Sequence, residues 1–377
     1  MEYQLITIMP TTKTHHKSSP PRGQRGLSLV ELMISLTIGL ILLLGITTLI
    51  VQQSSSRDEL EKSSRQIENG RYAVQLLHDD LEHAGFYGNY FNLPAPPAAM
   101  PDPCITTPLT GSGSLDEAMS LPIQGYDVLP SATTTSPITC LDSRNYKQGT
   151  DILVIRRADS NPVSVAAATG TGGQVYLQST PASHLLGTGS NTAAFTLTYN
   201  TSTNTSVAEL RRYLVHIYYI SPCSVPAGGG TTCTCTQSAG SCIGADDNGS
   251  PIPTLKMLEL SASGATTSFK AVPLVEGIEN MQFDYGIDAD SDGYPDNNYT
   301  TVPASTTDWS NVMAIRLNLL ARNTECTTGY TDSKTYALGQ AGNVSAPAAT
   351  CTNGGFKRHA FSALVRAVNI SGRRAQQ

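Results

Sequence analysis

The sequence predicts an α+β chain: a long N-terminal α-helix packed against an antiparallel β-sheet head with long disulfide-stapled loops. Three observations carry this. The run Leu27–Val51 holds 25 residues and one charge, Glu31. Polar, helix-compatible sequence without proline then continues to Leu93. From residue 94 on, short apolar alternations are separated by Ser/Thr/Gly/Pro-rich loops, and all eight cysteines lie in this part. The division this implies is a leader over 1–26, a membrane-length helix over 27–51, its amphipathic continuation over 52–93, and a β-rich head over 94–377.

The first 26 residues set Lys13, Lys17, Arg22 and Arg25 against Glu2, so they carry +3 and leave −9 on the remaining 351 residues of a chain whose total is −6. An acidic mature chain gives no reason to expect nucleic-acid binding. As a helix, Leu27–Val51 spans about 37 Å, enough to cross a bilayer. A plain signal anchor has this length. A secretory signal peptide does not, and no A-x-A site follows the run. Glu31 argues against the anchor as well: a carboxylate in mid-membrane costs on the order of 3 kcal/mol and needs a use. Gly39 and Gly45 allow close helix approach or are ordinary membrane-helix glycines.

The string Arg25-Gly26-Leu27-Ser28-Leu29-Val30-Glu31 resembles the type IV prepilin signal. The resemblance implies that a prepilin peptidase cuts between Gly26 and Leu27 and methylates the new amine of Leu27. It also implies that Glu31, at the fifth mature position, pairs with the terminal amine of a neighbouring subunit. Leu27 departs from the more usual phenylalanine or methionine.

The helix is expected to run from about residue 27 to 84. Leu60, Ile67, Val74 and Leu81, seven apart, with Leu77 and Ala84 between turns, form the stripe that should face the head. Gly85, Gly88 and Pro94, Pro96 and Pro97 end it. Strands are expected over Ile152–Arg156, Gln174–Gln178, Ala194–Tyr199, Tyr213–Ile220, Asn280–Ile287, Val312–Leu320 and Ala360–Val368. In two of them apolar residues alternate strictly with polar ones (Met281, Phe283, Tyr285, Ile287; Ile315, Leu317, Leu319), which predicts strands with one solvated face. The low-complexity stretches near 105–114, 131–139, 169–173 and 200–206 read as surface loops.

Glu68-Asn69-Gly70-Arg71-Tyr72-Ala73, Ala84-Gly85-Phe86-Tyr87-Gly88 and Leu274-Val275-Glu276-Gly277-Ile278-Glu279 resemble the PilW family of minor pilins, and Trp309, Arg358 and Phe361 fit it. This resemblance implies a type IV pilin-like fold. It implies a non-enzymatic subunit that associates with other minor pilins and the major pilin through the inner-membrane assembly machinery, near the pilus tip, where it primes assembly. It also implies a single-pass inner-membrane precursor with a periplasmic head, later part of the surface pilus. A minor pseudopilin of type II secretion shares this signal and architecture. A membrane-tethered periplasmic binding protein is the reading from another class.

Cysteines on the exported side favour disulfides. Proximity pairs Cys104 with Cys140 and Cys326 with Cys351, and groups Cys223, Cys233, Cys235 and Cys242 in one stapled loop. A zinc site there is disfavoured, since Cys233-Thr-Cys235 lacks the usual spacing and no histidine is near. No cofactor is required. The one candidate is calcium at Asp288-Ala-Asp290-Ser-Asp292-Gly293-Tyr294-Pro-Asp296. There Asp288, Asp290, Asp292, the Tyr294 carbonyl and Asp296 match positions 1, 3, 5, 7 and 9 of an EF-hand-type loop, although Tyr299 stands where the bidentate glutamate belongs. Its plain alternative is an acidic turn. Nucleotide-binding, serine-hydrolase and zinc-protease motifs are lacking, and the His15-His16 pair lies in the leader.

Overall fold

The computed structural model describes residues 26–107, 109–128, 136–201, 204–238, 241–296, 298–345 and 354–374. It divides into two compact units, up to Arg57 and from Asp58 onward. One helix, Leu29–Glu82, runs 54 residues through both. In the first unit every apolar side chain from Leu29 to Val51 is exposed. The hydroxyls of Ser35, Thr37, Thr47 and Thr48 donate to carbonyls three or four residues back, which satisfies them within the helix.

Among the described residues, the second unit holds two large antiparallel sheets and four two-stranded ones. The seven-stranded one runs Ile123–Tyr126, Ile152–Val163, Leu210–Ser221, Thr254–Ser263, Thr266–Glu276, with Val175–Ser179 on the Leu210 end and His184–Thr188 beyond it. The four-stranded one runs Tyr299–Thr300, Ile278–Ile287, Val312–Arg322, Arg358–Arg366. The chain passes from one sheet to the other at Gly277 alone. Its φ is 79°, and a Cβ there would lie 2.7 Å from the Arg322 carbonyl oxygen, so only glycine fits both the backbone and the space. The crossing is held on both sides: Gly277 N–H donates to Pro253 O (2.8 Å), and Arg322 N–H donates to Gly277 O (2.7 Å).

A strip of the helix, Gln66, Gly70, Ala73, Leu77, Asp80 and Leu81, is buried together with residues of both sheets. This corrects the heptad stripe. Leu60 is 71% exposed and Ile67 42%, and Val74 is half-buried. Leu77, Leu81 and Ala84 are buried as expected, but the contact strip, at spacings of three and four, runs through Gln66, Ala73 and Asp80, one residue before the row Ile67, Val74 and Leu81. It is also partly polar or side-chain-free. Gly70 lets the Phe361 ring into the space its own side chain would fill. Gln66 donates to Ala321 O at 2.9 Å and Lys357 O at 3.1 Å.

The alternating strands are buried on both faces, not one: along Ile278–Ile287 only the last residue is partly exposed. The polar face is covered by loops and bonded to them, Gln282 to Gly149 O (3.0 Å) and Asp284 from Gln340 N–H (3.0 Å). Polar alternation here records hydrogen-bond partners rather than solvent. The hairpin Thr254–Ser263/Thr266–Glu276 is absent from the expectation, hidden by its Ser/Thr content and by Pro273. The expected strand at Ala194 begins at Thr198 after a 3₁₀ turn, Thr192–Ala194. The 169–173 stretch is docked rather than loose, Gly173 N–H donating to Gly264 O at 3.0 Å.

Two buried ionic groups tie the elements together. Glu279 is paired with Arg358 and lies 3.7 Å from Arg322, and Arg358 reaches Asp332 at 3.1 Å. Burial raises the Glu279 carboxyl, but the two guanidiniums outweigh it and hold it below the usual range. On the helix, Asp80 binds Arg157 at 2.6 Å, His216 at 2.7 Å and the Tyr218 hydroxyl at 2.8 Å. Burial again opposes the charge, while His216 and then Arg157 hold the carboxyl far below its ordinary value.

Glu279→Gln is therefore expected to cost about 3–5 kcal/mol, since it leaves Arg322 buried without a carboxylate and Arg358 with Asp332 alone. Denaturant titration checks this, and an unchanged midpoint would contradict it. Asp80 gives a pH dependence of known sign. Its folded value is depressed, so the stability it contributes is present above about pH 4 and lost as pH falls below that toward the folded value. Asp80→Asn should flatten the acid limb of a pH–stability profile relative to the parent chain.

Candidate functional site

Gly26, Leu27 and Ser28 precede the helix as an irregular, exposed stretch. Ser28 caps the helix: its Oγ accepts the N–H of Glu31 at 3.2 Å and its carbonyl that of Leu32 at 3.1 Å. A Ser-x-x-Glu spacing supplies this half of a capping box. Glu31 thus sits in the first turn, where unpaired N–H groups favour a negative charge. The same cap leaves the Gly26–Leu27 bond outside the helix, in exposed chain. The leader's basic residues and His15-His16 lie outside the described residues.

The acidic loop follows the strand ending at Ile287. Asp288 is fully buried and accepts N–H groups from Ser291 (2.6 Å) and Gly293 (3.1 Å). Asp290 accepts from Asp292 N–H (3.2 Å), Asp292 from Tyr294 N–H (2.8 Å) and Asp296 from Ala289 N–H (2.9 Å). One carboxylate oxygen each from Asp288, Asp290 and Asp292 lie within 4.8 Å of one another. Gly293 has φ 85°. Tyr299, at the twelfth position, enters a short strand against Tyr285 and Gly286 and brings no carboxylate. The donors are hard oxygens, which suits calcium, in a loop carried by strands rather than helices.

The cysteines pair Cys104–Cys140, Cys223–Cys233 and Cys235–Cys242. Cys326 is also disulfide-bonded, and Cys351 lies outside the described residues. Asp246 sits among the central four, but it accepts N–H groups from Ala227 (2.8 Å), Thr234 (2.8 Å) and Cys235 (2.7 Å). It fastens the stapled loop. With the sulfurs in disulfides, no thiolate remains there to hold zinc.

The group formed by Asp80, Arg157, His216 and Tyr218 was not visible in the sequence, where Tyr218 reads as strand packing. It forms the floor of a cavity of about 440 Å³ walled by Tyr72, Leu76, Met257 and Leu274. Its sequence signal is Asp80, the one acid in the buried helix strip. Its partners lie 77 to 138 residues away, beyond any local pattern.

The strings around Gly277 and Asn69 acquire a physical sense together. Gly277 makes the sheet crossing, Glu279 enters the arginine pair, and Asn69 of the helix donates to Glu276 O at 3.1 Å. Trp309 packs edge-on against Tyr285 at 4.7 Å.

Residues 242–369 match the family of Type IV Pilus-assembly protein W, and residues 21–47 match the prokaryotic N-terminal methylation motif. The first match spans the crossing, the four-stranded sheet and the acidic loop; the second spans Gly26 and Glu31. The string around Asn69 falls in neither. No curated protein and no solved structure matches the chain. A methylation motif thus heads the apolar helix and the C-terminal third of the chain matches the pilus-assembly family, so in both parts this chain is similar to PilW-type, prepilin-type proteins.

Proposed function

We propose that this chain is a minor pilin that takes part in initiating type IV pilus assembly and sits at the pilus tip with other minor pilins. The observation that carries the reading is the coexistence, on one chain, of the methylation motif and the PilW-type head. Prepilin peptidase cuts between Gly26 and Leu27 and methylates Leu27. Until assembly, the apolar helix holds the precursor in the inner membrane with its head in the periplasm. Glu31 is costly alone in an apolar medium and is compensated by the terminal amine of a neighbouring subunit. That gives the helix a reason to leave lipid for a filament, with the major pilin and other minor pilins as partners. A head of this size resists burial within a continuous shaft, which supports a terminal position. Cation binding at the acidic loop is a second part of the proposal. It rests on the three converging carboxylates, and calcium is the ion that suits their oxygens.

Glu31→Ala is expected to leave cleavage intact and abolish incorporation into pili. Intact mass of the mature chain and immunodetection on sheared pili read the two steps separately, and normal incorporation would sink the assembly role. A deletion strain scored for surface pili and for secreted enzymes should lose the pili and keep secretion. Loss of secretion alone would favour a pseudopilin. The full mature chain in detergent should bind calcium with a Kd on the order of 10⁻⁴–10⁻³ M, weakened by the missing glutamate. Asp290→Ala should abolish the calorimetric heat; no heat from the parent chain at millimolar calcium would refute the site.

A further inference from the structure

The cavity over the Asp80 group lies at the seam between the helix and the seven-stranded sheet, within the second unit. The helix contributes one face to it: Tyr72, Leu76, Asp79 and, just past the last turn, His83 follow one another at spacings of four, three and four. The sheet contributes Arg157 and His216 from neighbouring strands. Its volume of about 440 Å³ falls inside the range of small-ligand sites, roughly 300–1,000 Å³. The rim is open to solvent, with Tyr72 58% exposed and the Asp79 side chain 60% exposed.

Hydrogen bonds fix what these walls can offer. Asp80 is a carboxylate paired with Arg157 and can only accept, so His216 donates to it from Nδ1 at 2.7 Å. His83 Nδ1 lies 2.7 Å from the Asp79 carbonyl oxygen, which also can only accept. Each neutral ring is therefore held in the tautomer whose Nε2 carries a lone pair. Neither Nε2 has a hydrogen-bond partner among the described residues. Asp79 takes the Gln75 amide on Oδ1 at 2.6 Å, and its Oδ2 is unbonded among the described residues. Arg157 offers the opposite polarity. It gives Nε–H to Asp80 and one Nη1–H to Ala158 O, and its other N–H groups remain.

This set of groups selects among ligand classes. A carboxylate or phosphate would meet the Asp79 charge and two ring lone pairs, and an ammonium group would meet Arg157. A wholly apolar ligand would strip water from all of these groups and replace none of it. A metal ion needs its ligand atoms at one point, and His83, His216 and Asp79 do not converge within 4.8 Å as the carboxylates of the acidic loop do. A ligand built of neutral hydroxyl groups meets both polarities, because each hydroxyl donates and accepts. The exposed Tyr72 ring, next to half-buried Leu76 and Met257, adds a flat apolar surface on which the C–H face of a pyranose can lie. We infer that this cavity binds a neutral saccharide of one or two rings, stacked on Tyr72, with its hydroxyls donating to Asp79 and to Nε2 of His83 and His216 and accepting from Arg157.

The test uses the full mature chain in a detergent whose headgroup is not a sugar. Saturation-transfer NMR is run with glucose, galactose, N-acetylglucosamine, maltose and lactose, and with sodium acetate and ethylammonium chloride as charged competitors. At least one saccharide should receive transfer at its ring C–H protons, and neither competitor should displace it. Tyr72→Ala removes the stacking surface and Asp79→Ala an acceptor. Both side chains are mostly exposed, so both variants should melt with the parent while each weakens saccharide binding about tenfold. His83→Ala, at the exposed rim, should weaken it as well and carries the test if either of the others fails to fold. No transfer to any of these saccharides, displacement by acetate or ethylammonium, or parental affinity in the folded variants would overturn the assignment.

Discussion

The head depends on the crossing at Gly277. Two sheets that share one apolar core must be joined by chain that leaves one plane and enters the other without opening either. At this point the backbone runs against the Arg322 carbonyl and takes a conformation closed to other residues. Everything downstream is registered by it. Glu279, two residues on, is delivered to Arg322 and Arg358. Asn69 bonds the carbonyl just before the turn, which sets the helix strip over the seam. The Gly70 gap then receives Phe361 from the last strand of the second sheet.

Buried charge in this molecule joins separate elements of the fold. The Glu279 group connects the crossing to two strands and a loop, and the Asp80 group connects the helix to the first sheet. In each, the carboxylate is held by donors from separate elements, Asp80 by Arg157, His216 and Tyr218 and Glu279 by Arg358. Pilin-family matches at both ends agree with a structural subunit.

Much of this could be read from the residues. The position and length of the helix, the strands around Tyr213, Phe283 and Leu317, and the resemblance at Gly277 and Glu279 all rest on local patterns, and local patterns survive in sequence. What could not be read was set by tertiary partners. Leu60 and Ile67 continue the apolar row but lie outside the buried strip, whereas Gln66 and Gly70 face the core because carbonyls and a ring await them. Gln282 and Asp284 look solvated until the loops that cover them are placed. Asp80 and His216 look unrelated across 136 residues. The Thr254–Glu276 hairpin is written in serine and threonine, whose strand preference is expressed only beside a neighbour.

The order of the chain along this fold has a consequence for its biogenesis. The helix strip that needs covering, Gln66 to Leu81, is made early. Its cover is made late: Phe361 fills the Gly70 gap, and Asn369 caps the carbonyls of Glu82 and Ala84 at 3.1 and 3.2 Å. During synthesis the apolar strip must wait for almost three hundred further residues before it can be fully buried. Such long-range closure is slow and exposes the intermediate to aggregation. The apolar helix fits a membrane anchor, and an anchor keeps each waiting chain tethered and dilute in the meantime.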